Sequence, residues 1–128
     1  MKSPVPEWTD AKFKSFIISA LRGAFRRYPP KQQCINNAYV KTQVNKKTGR
    51  KAKHYKCAKC KKLYPRTEVQ ADHTTPIVGD KGFIDFNMWI ERAFVAISGF
   101  QCLCKGCHTI KTNKERQQSK KVKDERNN

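Results

Sequence analysis

Acidic residues are scarce in this chain: its 128 residues include 10 Asp and Glu against 28 Lys and Arg, a formal net charge of +18. An imbalance of that size favours a polyanionic partner. Long apolar runs are missing too. No stretch approaches the length needed to span a bilayer, so no membrane segment is expected. The opening residues, Met1-Lys2-Ser3-Pro4-Val5-Pro6-Glu7, contain nothing like the apolar centre of a secretory leader. A reducing, cytoplasmic setting is therefore expected, and there the six cysteines would not form a disulfide framework. Hydrophobic residues make up only 38% of the chain and the mean hydropathy is −0.82. One domain with a thin core follows, a case in which a bound metal would help.

What the chain does have is a patterned set of cysteines. Cys57-Ala58-Lys59-Cys60 and Cys104-Lys105-Gly106-Cys107 are two C-x-x-C pairs, and they are the only internal repetition visible. Each pair can set two thiolates on one side of a tight turn, and two such knuckles supply the four tetrahedral sulfur ligands of a structural Zn²⁺. Cys102 would share the face of Cys104 on a strand and is the rival ligand. His108, directly after the second pair, could instead complete a site of three cysteines and one histidine. Cys34 reads as a small buried apolar residue.

Between residues 41 and 66 the chain carries Lys41, Lys46, Lys47, Arg50, Lys51, Lys53, Lys56, Lys59, Lys61, Lys62 and Arg66 without one acidic residue. A basic run can be a solvated face, but uncompensated charge at this density suits phosphate. Lys46, Lys47, Arg50, Lys51 and Lys53 are the expected contacts. DNA is the expected partner, although a basic patch reads phosphates and not sugars, which admits RNA as well.

Periodicity predicts a helix over residues 9–28, with Phe13, Phe16, Ile17, Ala20, Leu21, Ala24, Phe25 and Tyr28 on its apolar face, Thr9 or Asp10 as its cap and Pro29-Pro30 as its stop. Its outer face bears Arg22, Arg26 and Arg27, which either keep the protein soluble or reach a nucleic-acid backbone. A short helix to about Ala38 is possible next. Residues 40–44 and 51–56 read as strands around a turn-rich loop at 45–49, and Pro65 interrupts a brief extension after the first knuckle. Residues 68–73 form another strand, and 74–82 a loop. A short helix capped by Asp85 then places Phe86, Trp89, Ile90, Ala93 and Phe94 in the core. A strand at 100–103 leads to the second knuckle and to a helix from His108. Beyond about Gln118 the tail, residues 119–128, is polar and is expected to be disordered.

The order strand-Asp72-His73, loop, strand-Cys104-x-x-Cys107-His108-x-x-Lys111-Thr112 resembles the HNH endonucleases, the ββα-metal or His-Me finger family. The likeness is to the small zinc-stapled members common in bacteriophages. It is close from about His54 to Glu115 and extends to Arg26-Arg27-Tyr28-Pro29-Pro30. The implied fold is α+β: a ββα-metal core with a four-cysteine zinc site and an N-terminal amphipathic helix. A single nuclease domain would cover residues 1–118, with its basic hairpin and first knuckle at 40–66 and its core at 67–115.

The resemblance also implies a mechanism. Phosphodiester hydrolysis needs a base for the attacking water, and an imidazole, with an ordinary pKa near ~6.5, can serve at cellular pH; His73 takes that role. Asp72 and His108 would hold a catalytic divalent cation such as Mg²⁺ or Mn²⁺. Lys111 and the pair Arg26 and Arg27 are expected to contact DNA, and His54 to meet phosphate or solvent. The position usually held by the middle Asn of the motif is Gly99 here. In the family that Asn orients the loop carrying the base, and Ser98, Gln101 and Asn87 are the candidate substitutes. Small phage proteins of this kind are often associated with genome-packaging terminases, which makes such a partner an implication of the resemblance. The alternative is a zinc-ribbon nucleic-acid-binding or accessory protein without hydrolytic activity, which leaves Asp72, His73 and His108 without a purpose.

Overall fold

The computed structural model describes residues 2–79 and 82–127. Its first helix, α1 (Asp10–Phe25), begins as expected, with the Thr9 hydroxyl accepting the Lys12 N–H at 3.1 Å. It ends sooner. Pro29 and Pro30 do not stop it but open a second helix, α2 (Pro29–Asn37), because the first turn of a helix has no use for the N–H that proline lacks. Only one narrow stripe of α1 is covered. Phe13, Ile17, Leu21 and Phe25, spaced by four, are half-buried, whereas Ala20 and Ala24 face solvent and Phe16, at 57% exposed, forms an edge-to-face pair with Trp8.

Strands β1 (Tyr39–Val44), β2 (Lys51–Lys56) and β3 (Leu63–Pro65) form an antiparallel sheet in that order. The β1–β2 turn is built by Asn45, whose side chain accepts the Lys47 N–H at 2.9 Å, and by Gly49 at φ 73°, a left-handed conformation that glycine adopts without steric cost. Pro65 closes β3 and does not break it; β3 is an edge strand, where a missing donor is tolerated. His54 departs from expectation. It points into the core at 4% exposed and its Nδ1–H donates to the Ala52 carbonyl at 2.9 Å, so it is not a phosphate contact.

The second sheet pairs β4 (Val69–His73) with β5 (Phe100–Cys104), in antiparallel register from Val69 opposite Cys104 to His73 opposite Phe100. Between them lies α3 (Phe86–Ala93), capped by the Asp85 carboxylate on the Met88 N–H at 2.7 Å. Trp89 and Ala93 are buried as expected, but Ile90 is turned towards solvent. From β5 the chain passes directly into α4 (Lys105–Asn127). As far as Asn127 the tail beyond Gln118 continues this helix: after Gly106 the segment contains no Gly or Pro and is rich in Lys, Gln, Arg and Glu, all good helix formers.

Helix α2 lies against β4 and β5 and inserts Ile35 beside Tyr55, Val69 and Cys102. A second small cluster joins Cys57, Leu103 and Cys104. Both are modest, as the composition predicts. No helix among the described residues is long and apolar enough to cross a membrane.

Candidate functional site

The four knuckle cysteines converge. Cys57 follows β2 and Cys60 precedes β3, while Cys104 ends β5 and Cys107 lies in the first turn of α4. Their sulfurs all lie within 4.8 Å of one another. Tetrahedral zinc with bonds of about 2.3 Å needs sulfurs about 3.8 Å apart, so the donor set fits a structural metal such as zinc. The backbone brings the pairs together: the Ala58 N–H reaches the Cys102 carbonyl at 2.8 Å, and Lys61, at φ 65°, reverses the chain between Cys60 and β3.

The thiols differ in acidity. Burial opposes ionisation of Cys57, but hydrogen bonds from the backbone around Cys104, Cys60 and Lys59 outweigh it and bring its pKa down to about 6. The Tyr64 hydroxyl, 3.3 Å from the Cys60 sulfur, lowers that thiol as well. Cys107 is pushed up to about 12, chiefly by its hydrogen bond with Cys104. These are sulfurs close enough to share protons, and a cation replacing those protons would relieve their crowding. The rival ligand is excluded by position. Cys102 is packed among Ile35, Tyr55 and Val69, and burial raises it to about 11.

A second constellation lies at the far end of the β4–β5 pair. Gln101 faces Asp72 across the sheet and donates to Asp72 Oδ2 at 3.1 Å. Lys111 on α4 reaches the same oxygen at 3.0 Å, and it also bonds the His73 carbonyl at 2.9 Å and Glu115 Oε1 at 2.6 Å. With Oδ2 occupied, Oδ1 is the oxygen left towards His108, whose Nε2 lies 3.5 Å away. Two donors at that separation can act as neighbouring ligands of one cation. Lys111, expected as a DNA contact, sits here as an internal counter-ion of Asp72 and Glu115. Burial disfavours its charge, yet Glu115 and Asp72 outweigh that and hold its pKa above the ordinary lysine value.

His73 is fixed from three sides. Its ring stacks on Phe25 at 5.2 Å and lies 4.8 Å from Phe100, and its Nε2 is 2.8 Å from the Ala93 carbonyl at the end of α3. That carbonyl can only accept, so Nε2 carries the proton and Nδ1 is left as the acceptor. Just beyond Phe25, Tyr28 at the N-cap of α2 donates to the Val95 carbonyl at 2.8 Å and ties this turn to the segment after α3.

Among the described residues, none of Ser98, Gln101 and Asn87 forms a side-chain hydrogen bond to the loop after His73. The loop after His73 is held by a carbonyl, that of Gly99, which accepts the Thr74 N–H at 3.0 Å and the Thr74 hydroxyl at 3.3 Å. Gln101 orients Asp72 instead. Gly99 is not among the positive-φ residues, yet a Cβ there would lie 2.5 Å from Val95 Cγ2 and 2.8 Å from Val95 Cβ. Gly99→Ala is expected to cost about 1–3 kcal/mol by overpacking. A lower melting temperature, partly recovered by adding Val95→Ala, checks this; an unchanged melt rejects it.

The hairpin cations Lys46, Lys47, Arg50, Lys51 and Lys53 are exposed, though Lys47 pairs with Glu68 and Lys53 lies over the Tyr39 ring at 5.7 Å. Arg26 and Arg27 are exposed at the end of α1. The sequence reading missed Glu115, Tyr64 and the Ala93 carbonyl, and gave Gln101 a different role. A helical spacing of His108, Lys111 and Glu115 was the available signal for the first, since i, i+3 and i+7 share one helix face. No family model matches the chain, and no curated protein or solved structure is significantly similar to it.

Proposed function

We propose that the chain is a metal-dependent endonuclease that hydrolyses DNA phosphodiester bonds, built on the ββα-metal plan of the HNH proteins it resembles. The observation that carries this reading is that Asp72 lies 3.5 Å from His108 while the next residue of β4, His73, is held with Nδ1 as its acceptor. The succession of two antiparallel strands and a helix supports it.

In this reading Nδ1 of His73 takes the proton of the attacking water, while the Ala93 carbonyl keeps the ring in the tautomer that can do so. Phe25 and Phe100 limit the ring's rotation, so that acceptor and substrate phosphate need little reorganisation. Gln101 and Lys111 hold Asp72 in place. A divalent cation on Asp72 and His108 would supply positive charge for the phosphate and the leaving 3′ oxygen.

One observation favours a second reading, a zinc-stapled binder without activity: Lys111 already gives Asp72 a positive partner. Incubation of supercoiled plasmid with the zinc-loaded protein in Mg²⁺ or Mn²⁺ distinguishes the two. Nicking that depends on the added ion is expected; intact plasmid at high protein concentration would leave the binder.

A further inference from the structure

A cavity of about 360 Å³ opens where α1 meets α2, beside β4, and Arg26, Arg27, Lys31 and Arg66 line it together with Gln32 and Gln70. Among the described residues no acidic side chain lines it, and none of these four cations forms an ion pair. Four positive charges converging without a carboxylate repel one another. Arg66 is nonetheless held in place by neutral acceptors, with Nη1 on the Val69 carbonyl at 3.1 Å and Nη2 on Gln32 Oε1 at 3.3 Å. Burial and the Arg66 charge both act against protonation of Lys31, whose pKa lies below the ordinary value. Such an arrangement is stabilised by an anion within it. The side-chain amides of Gln32, on α2, and Gln70, on β4, also line it and can donate hydrogen bonds to oxygen, although Gln32 Nε2 already donates one to Asn36 Oδ1 at 2.9 Å.

The cavity is coupled to the proposed catalytic residues. Ala71 lines it and precedes Asp72 and His73 on β4. Lys31 Nζ lies 4.3 Å from the centre of the Phe25 ring, the same ring that stacks on His73.

We propose that this cavity is a seat for one backbone phosphodiester of the bound nucleic acid, with half-buried Lys31 and the exposed Arg26, Arg27 and Arg66 as its cations. The inference rests on the nucleic-acid partner of the proposed function but not on cleavage. Such a seat would fix the position of the strand and read no sequence.

Binding of a fluorescent duplex to the full-length, zinc-loaded protein, without added Mg²⁺ or Mn²⁺, tests it across a range of salt. Lys31→Gln is expected to weaken binding about tenfold at low salt and to lower the slope of log affinity against log salt by about 0.9, the share of one phosphate contact. An unchanged slope in a folded variant overturns the seat. Should the variant fail to fold, the unaltered protein decides: thymidylyl-thymidine is expected to shift the side-chain amide resonances of Gln32 and Gln70, and no shift at millimolar dinucleotide overturns the proposal. A shift with inorganic phosphate alone also overturns it. Absence of plasmid nicking with both binding results intact would reject the nuclease and leave the seat standing.

Discussion

Cys57→Ser is expected to abolish the fold, and Cys102→Ser is not. Cys57 joins β2 to the sulfur cluster, and that cluster holds the three-stranded sheet to the β5–α4 junction. The apolar alternative is weak: the buried clusters involve few side chains, and the largest fully buried ones are Ile35, Leu103 and Cys57 itself. Structural zinc contributes folding free energy on the order of 10 kcal/mol in small domains, which a core of this size cannot replace. The purified protein should therefore hold one zinc per chain, and Cys57→Ser should lose both zinc and its cooperative melt. Cys102→Ser should keep the zinc and lose about 1–3 kcal/mol for a hydroxyl placed among Ile35, Tyr55 and Val69. Folded wild-type protein without zinc would reject the staple. Equal zinc loss in both variants would instead make Cys102 a ligand.

The contrast between Cys57 and Cys102 also marks where the sequence stops being informative. C-x-x-C spacing is a local property, and the four ligands, the Thr9 and Asp85 caps and the β1–β2 hairpin were legible because each depends on neighbours within a few residues. Which β5 cysteine joins the cluster is settled only by the long-range pairing in which the Ala58 N–H meets the Cys102 carbonyl. The prolines after α1 were misread for a related reason. A Pro-Pro step stops one helix and can start another, and only the packing of Ile35 against the strands selects the second outcome.

At the candidate site the side chains were legible and their supports were not. Asp72, His73 and His108 stand out by type and spacing. The groups that hold them include carbonyls of Ala93 and Gly99, which every residue possesses and no sequence pattern marks. Lys111 looked like another of the many cations; its distinction is entirely positional, since α4 carries it to Asp72 and Glu115. Gly99 shows the same limit. Its need for glycine comes from the approach of Val95, a contact that depends on how the segment after α3 returns to β5.

His73→Ala is expected to reduce nicking by about a hundredfold to ten-thousandfold, the range that a positioned acid or base contributes. Zinc content should stay normal, because the cysteine cluster lies at the other end of the β4–β5 pair, where Cys104 faces Val69. DNA affinity should also stay near normal, since the hairpin cations and the arginines of α1 are untouched. The substitution does remove a ring that packs on Phe25 and Phe100, so lost activity alone could reflect a loosened site. Imidazole added to the assay separates the two causes: it can enter the vacated space and accept the water's proton, and partial recovery is expected for a missing base but not for a displaced loop. His108→Ala should behave differently. It removes a donor 3.5 Å from Asp72 Oδ1 without touching the proton acceptor, so its activity should recover towards wild type at raised Mn²⁺ and ignore imidazole. Nicking that survives both substitutions would move the chemistry elsewhere in the molecule, and rescue of either variant by the other's remedy would exchange the roles assigned to the two histidines.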